Sequence, residues 1–237
     1  MTMDFLRLTE PEWQAVQLSV RVALVAVVCS LPFGVGMGWL LARRRFPGKF
    51  AVETVVNLPL VVPPVVTGYL LLTTFGAHGW AGRYLDRWFG ISFVFTWHGA
   101  ALASAVVAFP LMVRTMRVAF GAVDRRLEGA ARTLGAGPLD CFFSVTLPLA
   151  RHGIIAGCVL AFARSLGEFG ATIMIAGNIP GETRTIPLYI FTLLQSPGGV
   201  DGARRIVVIS VLIAMVALAA SEWYLRKEGR LLTERKT

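Results

Sequence analysis

Residues 22–42 read VALVAVVCSLPFGVGMGWLLA, 21 consecutive positions without a charged side chain. A helix needs about 20 predominantly apolar residues to cross the hydrocarbon core of a bilayer, so this stretch alone sets the environment of the protein. Four further stretches qualify. Residues 54–77 carry no charge, and residues 88–113 none beyond what His98 can take up. Residues 153–181 are apolar but interrupted by Arg164 and Glu168, and residues 206–225 hold one acid, Glu222, near their end. The first span is too long for a signal peptide, and no small-residue cleavage site follows it before Arg43.

Composition agrees. The 237 residues are 55% hydrophobic and only 16% charged, with a mean hydropathy of +0.65. Soluble domains carry about 25% charged residues, so a disordered protein, a nucleic-acid-binding tail and an ordinary cytosolic enzyme are all excluded. The net charge of +9 invites a phosphate-binding reading, which fails once the charges are placed. Fifteen of the 23 basic residues follow the first, third and fifth spans. They are Arg43, Arg44, Arg45 and Lys49; then Arg114, Arg117, Arg125, Arg126, Arg132 and Arg151; then Arg226, Lys227, Arg230, Arg235 and Lys236. Basic residues accumulate on the cytoplasmic side. The expected arrangement is therefore an all-α, polytopic transmembrane domain over 1–237, with its core at 12–224, its amino terminus outside and a cytoplasmic basic tail at 225–237. The charge also suits anionic lipid headgroups. Cys29, Cys141 and Cys158 form no even framework and read as buried small hydrophobes.

The cytoplasmic connection between Arg114 and Arg151 is too polar to span and too rich in helix formers for slack loop. Asp124 is placed to cap a helix over 125–134, Gly135-Ala136-Gly137-Pro138 to stop it, a second short helix to run over 139–145, and Leu147-Pro148 to turn the chain back. Two readings stand: an amphipathic pair lying on the headgroups, or a docking element for a cytoplasmic partner.

Ala130-Ala131-Arg132-Thr133-Leu134-Gly135, nine residues, then Val145-Thr146-Leu147-Pro148 resembles the "EAA" loop of ABC importer permeases. The family pattern is Glu-Ala-Ala, three residues, Gly, nine residues, Ile, one residue, Leu-Pro. Gly129 occupies the family's acid position here, and the acid stands one place earlier as Glu128. Further stretches are similar to the molybdate permease subunit, with sulfate and tungstate permeases as near relatives. These are Phe46-Pro47-Gly48-Lys49, Leu58-Pro59-Leu60-Val61-Val62-Pro63-Pro64, Arg164-Ser165-Leu166-Gly167-Glu168-Phe169-Gly170, and Asn178-Ile179-Pro180-Gly181-Glu182-Thr183-Arg184.

The resemblance covers most of 12–223 and implies a type I ABC importer fold. Two permease copies, two ATPase subunits and an external binding protein would assemble, with ATP and Mg held by the ATPase and no cofactor or metal on this chain. It implies an ATPase-coupling loop made of Glu128, Ala130, Ala131, Arg132, Leu134, Gly135, Leu147 and Pro148. The chain has no phosphate loop of its own, since Gly48-Lys49 is followed by Phe50.

The candidate pathway or hinge comprises Pro59, Pro63, Pro64 and Thr67 in the second span and Arg164 and Glu168 in the fourth. Prolines in a membrane helix kink it, whether as packing or as a hinge. Arg164 and Glu168 lie four apart, hence on one helix face, as a structural ion pair or as a transient attraction for a dianion. The loop 177–205 and residues 78–87 face the binding protein or simply cap the spans. His78, His98 and His152 are too scattered for a metal site. A secondary transporter would need inverted repeats and a membrane enzyme a clustered catalytic set; neither is present in the sequence. On this reading a reporter fused after Thr237 behaves as cytoplasmic and one placed before Trp13 as periplasmic. The reverse pattern would overturn the five-span arrangement.

Overall fold

The computed structural model describes residues 8–90 and 92–234; Arg235 and Lys236 of the charge count lie outside the described residues. Among the described residues all regular structure is helical: α1 (Glu10–Arg43), α2 (Lys49–Val61), α3 (Pro64–Phe75), α4 (Trp80–Phe89), α5 (Trp97–Ala122), α6 (Arg125–Thr133), α7 (Pro138–Cys141), a π-helical turn (Phe142–Thr146), α8 (Leu147–Leu166), α9 (Gly170–Ala176), α10 (Ile186–Leu194) and α11 (Val200–Glu234). Among the described residues four helices are long and apolar enough to cross a membrane, and the bent pair α2–α3 makes a fifth when it is counted as one span.

The centre is α5, packed between α1 and α8. In lipid no hydrophobic force drives one apolar helix against another, so close packing through small residues has to supply the association. The sequence provides it on both sides of α5. Gly34 and Gly38 of α1 lie against Met112 and Met116, and Gly153 and Gly157 of α8 against Ala119 and Met116. Both glycine pairs are spaced four apart, the spacing that lets two helix backbones approach. Phe120, Met112 and Met116 fill the space left, wholly buried with Ala150 and Ala161 of α8. A second cluster joins Val22, Ala103 and Val107 to Ile175 of α9. At the far end of α1, Ala15 and Val16 meet Ile186, Tyr189 and Ile206. There the Arg205 guanidinium donates to Glu12 Oε1 at 2.6 and 2.9 Å, tying α11 to α1.

The expected spans are displaced wherever the backbone finds a better partner than continued helix. The run 54–77 is two helices meeting at 112°, not one kinked helix. Neither Pro63 nor Pro64 has an N–H, and Pro63 holds Val62 extended at ψ 134°. The run 88–113 is replaced by 97–122. Phe95 is fixed by its N–H on Ile175 O at 3.0 Å, and the Thr96 hydroxyl accepts from Gly99 N–H to open α5. At its other end α5 continues past Val113. Arg114 donates to Asn57 Oδ1 at 2.6 Å and Arg117 pairs with Glu53 at 3.1 Å, so α2 engages both guanidiniums, the first with a neutral amide and the second with a carboxylate.

The run 153–181 breaks at Gly167, and Arg164 and Glu168 do not share a helix face, because Glu168 lies beyond the end of α8. The separate helix over 139–145 and the reversal at Pro148 are absent: 138–166 is one continuous helical rod with a π-turn inside it. Pro148 lies inside that rod, just after the π-turn ends at Thr146, and does not stop it. The fifth span starts at Val200, so Arg204 and Arg205 belong to a helix and not to the outer loop. Cys29 is exposed on α1, while Cys141 is buried.

A Cβ on Gly38 would stand 2.9 Å from Met116 Cβ and 3.3 Å from the Arg117 nitrogen. Gly38→Val is expected to cost about 2 kcal/mol by overpacking, read as a lowered thermal midpoint of the purified protein. Gly36→Ala, where a Cβ meets nothing within 4 Å, is expected to leave that midpoint unchanged or raise it.

Candidate functional site

At the basic end of the molecule α6 and α7 form an elbow. Asp124 Oδ1 accepts the Arg126 N–H at 2.9 Å, the cap that a short acid provides. Nine residues later the helix closes on itself, the Gly135 N–H on Arg132 O and the Ala136 N–H on Ala131 O, each at 3.0 Å. Gly135 takes φ +94° to make that turn, a conformation that side-chain-bearing residues adopt at a cost. Pro138 then starts α7.

The expected loop residues divide. Leu134 is 89% exposed at the tip of the elbow, with Ala130, Arg132 and Gly135 exposed around it and Ala131 half-buried. Leu147 and Pro148 are not at the tip. Leu147 packs against the core around α5, and Pro148 is exposed on the rod.

Glu128 points the other way, into its own chain. Its Oε1 is 3.1 Å from Arg43 Nη2 and accepts the Thr146 hydroxyl at 2.7 Å. The same Arg43 nitrogen donates to Val123 O at 2.7 Å. One carboxylate therefore joins the end of α1, the elbow helix and the π-turn. Arg43 is 7% exposed and Glu128 17% exposed as side chains, so neither is paired through bulk water. Arg43 and Thr146 were not singled out in the sequence. Their separation of 103 positions leaves no local signal, and only the motif position of Glu128 hints at a partner.

The pathway candidates converge at a second place, apart from the elbow. Glu168, 3% exposed, divides its carboxylate: Oε2 is 2.8 Å from Arg164 Nη1, and Oε1 accepts the Ala171 N–H at 2.9 Å, capping α9. The start of α3 lies directly against this cap, so that a Cβ on Gly170 would stand 2.9 Å from Pro64 Cβ. Thr67 is buried on α3, one residue before Gly68, whose face is pressed onto Ala171 and Met174. Pro63, Pro64, Thr67, Arg164 and Glu168 thus surround one joint between two broken helices. Pro59 is separate, inside α2. Beyond the joint, the segment after Gly177 is ordered by the Thr183 hydroxyl, which accepts the Ile179 N–H at 2.9 Å, and by Arg184 Nε on Asn178 Oδ1 at 2.9 Å. Among the described residues no three His, Cys, Asp or Glu side chains are grouped to hold a metal ion.

Residues 31–225 match the family described as binding-protein-dependent transport system inner membrane component. The chain belongs to that family. It is a multi-pass inner-membrane protein with the type I ABC importer transmembrane fold. It is 59% identical over 219 residues to the molybdenum transport system permease protein ModB of Escherichia coli, a match covering 92% of this chain and 96% of that one. It is 34% identical to the sulfate transport system permease protein CysW of Synechocystis, over 91% of this chain and 77% of that one. A solved bacterial ABC transporter involved in import of the acidic polysaccharide alginate superposes with a TM-score of 0.75 at 17% identity, covering 96% of this chain and 84% of the other. That likeness establishes the fold, and the family match covers both the elbow and the α3–α9 joint.

Removing the shared carboxylate leaves Arg43 buried without its anion. Glu128→Ala is expected to destabilise by about 2 kcal/mol and Thr146→Val by about 1 kcal/mol, measured by thermal unfolding in detergent. Equal stability of all three proteins would mean that the node holds nothing.

Proposed function

We propose that this chain is the permease subunit of an ATP-driven importer that carries molybdate across the inner membrane by alternating access. The observation that carries the reading is the high identity to a molybdenum permease along almost the whole of both chains, against the weaker likeness to a sulfate permease. Two copies of the permease pair in the membrane, and two ATPase subunits hold ATP and Mg beneath them. A periplasmic binding protein delivers the anion. The amino terminus lies outside and the carboxyl terminus in the cytoplasm, in keeping with the basic residues that follow the first, third and fifth spans.

In this reading the elbow is where the ATPase docks. Leu134 and Gly135 enter its groove, Ala130 and Ala131 line the contact, and Arg132 stands at the rim with Arg125 and Arg126. Glu128 fastens the docked helix to α1 and to the rod that includes Leu147 and Pro148. Closure of the ATPases moves the spans as rigid bodies. The α3–α9 joint, with its proline break and its capped carboxylate, is the place where two helices can change angle without exposing backbone to lipid. Arg164 is the cation available there to an anion in transit. One paired arginine suits passage better than a cluster, since a translocation site has to release what it binds. Molybdate, tungstate and sulfate share charge and tetrahedral shape, so selectivity resides mainly in the binding protein.

The test is cellular molybdenum by mass spectrometry, with the gene deleted and restored at trace molybdate, with and without excess sulfate. Loss on deletion, recovery on restoration and indifference to sulfate are expected; unchanged molybdenum, with any second molybdate system excluded, moves the substrate to sulfate or tungstate. Complementation by Gly135→Asn and Gly135→Trp tests the elbow. Asn tolerates a positive φ and Trp adds bulk, so Trp is expected to abolish ATPase co-purification while Asn retains most of it. Normal uptake by the Trp variant would sink the docking assignment.

A further inference from the structure

Two cavities flank Phe142, on opposite sides of the place where α1 leaves the core. The first, of about 300 Å³, is walled by Trp39, Arg43, Arg44, Arg125, Glu128 and Arg132, with Phe142 behind them. Four guanidiniums face one carboxylate, and that carboxylate is already engaged by Arg43 and Thr146. The Nε of the buried Arg43 has no hydrogen-bond partner, and Arg44 lies over the Trp39 ring at 5.4 Å. The second cavity, of about 670 Å³, is an apolar groove formed by Pro32, Val35 and Gly36 of α1 with Leu147, Ile154 and Ile155 of α8, and it also ends on Phe142.

Pro32, Gly36, Trp39 and Arg43 are spaced four, three and four apart and so form one stripe along α1. Along the helix axis that stripe is about 16 Å long, and half of a bilayer's hydrocarbon core is about 15 Å. The basic cavity therefore lies one leaflet's depth from the inner end of the groove. Trp39, in the wall of the basic cavity, is the residue type that marks the membrane–water boundary.

We infer that this composite site binds one anionic phospholipid, its phosphate among Arg43, Arg44, Arg125 and Arg132 and an acyl chain in the groove beside Gly36. Charge complementarity selects the headgroup and depth selects the chain. A free phosphate would need only the first cavity, and an acidic segment of the ATPase would have no use for the second. Leu134 and Gly135, the tip assigned to the ATPase, are not part of either wall, while Arg125 and Arg132 stand at the rim of that contact and also line the basic cavity. The lipid would bridge the first span and the elbow, beside the Glu128 node. The inference rests on the proposed function only in placing this end at the cytoplasmic leaflet; the lipid site itself is tested in detergent, where leaflet and transported anion play no part.

The purified full-length permease, with and without its ATPase partner, is titrated with dioleoyl phosphatidylglycerol, dioleoyl phosphatidylcholine and inorganic phosphate, and bound species are counted by native mass spectrometry. Retention of phosphatidylglycerol is expected to exceed that of phosphatidylcholine by roughly tenfold or more, and to fall to the phosphatidylcholine level in Arg44→Gln/Arg125→Gln. Gly36→Leu, placed where a Cβ meets nothing within 4 Å, is expected to displace the acyl chain and lower retention of both lipids. Should that variant fail to fold, the double arginine variant still decides. Equal retention of the two lipids, inorganic phosphate held as firmly as phosphatidylglycerol, or loss of the lipid whenever the ATPase is present would each overturn the inference.

Discussion

Apolar helices surrounded by lipid gain nothing by touching one another except through contact itself. The architecture therefore depends on how near two neighbours can come to α5. Gly34 and Gly38 on one side, and Gly157 on the other, bring α1 and α8 against Met112 and Met116, while Gly153 sets α8 onto Ala119. Methionine adapts its shape to whatever gap remains, so Met112 and Met116 can serve both interfaces at once. Side chains such as Val211, Met215 and Val216 on α11 stay exposed because nothing in the chain competes for them. They face what surrounds the subunit.

Breaking a helix within such a framework is costly unless the freed backbone groups find partners. The chain breaks where partners exist. Pro63 and Pro64 remove two donors before they can be orphaned, and Glu168 takes up the donor released at Ala171 while balancing Arg164. That pair is an ion pair, yet its second duty as a helix cap explains why it sits at a break instead of along a face. Both breaks adjoin each other at Pro64 and Gly170. The irregular backbone of both breaks is thus gathered at one joint lined by protein.

Much of this was legible in the residues, where the cause is local. The apolar runs gave the class, Asp124 gave the start of the elbow helix, and Gly135 gave its stop, because caps and left-handed turns depend on a few neighbouring atoms. What could not be read involves distant partners. Whether 88–113 or 97–122 forms the helix turns on a backbone bond from Phe95 to Ile175. The continuation of α5 through Arg114 and Arg117 turns on Asn57 and Glu53. Pro148 looked like a chain reversal because proline is a breaker in general, whereas here the helix runs on through it, directly after the π-turn, where the hydrogen-bond ladder is already irregular. Among the candidate site residues, the pathway set apart from Pro59 shares a joint, while Leu147 and Pro148 stand away from the elbow tip with which the family resemblance had grouped them. Gly34, Gly38, Gly153 and Gly157 were in plain view but acquire meaning only against the side chains of α5.

The uninterrupted stretch from Pro138 to Leu166 has a mechanical consequence. Its 29 residues make a stiff rod about 43 Å long, clasped by α5 at Gly153 and Gly157. The clasp divides it into arms of roughly 25 and 16 Å, with the elbow at the end of the longer arm and Arg164 just inside the end of the shorter. Such a rod pivoting at its clasp is a first-order lever with an off-centre fulcrum. In such a lever a sideways push at the elbow would reach Arg164 reversed in direction, reduced to about half in travel and correspondingly increased in force.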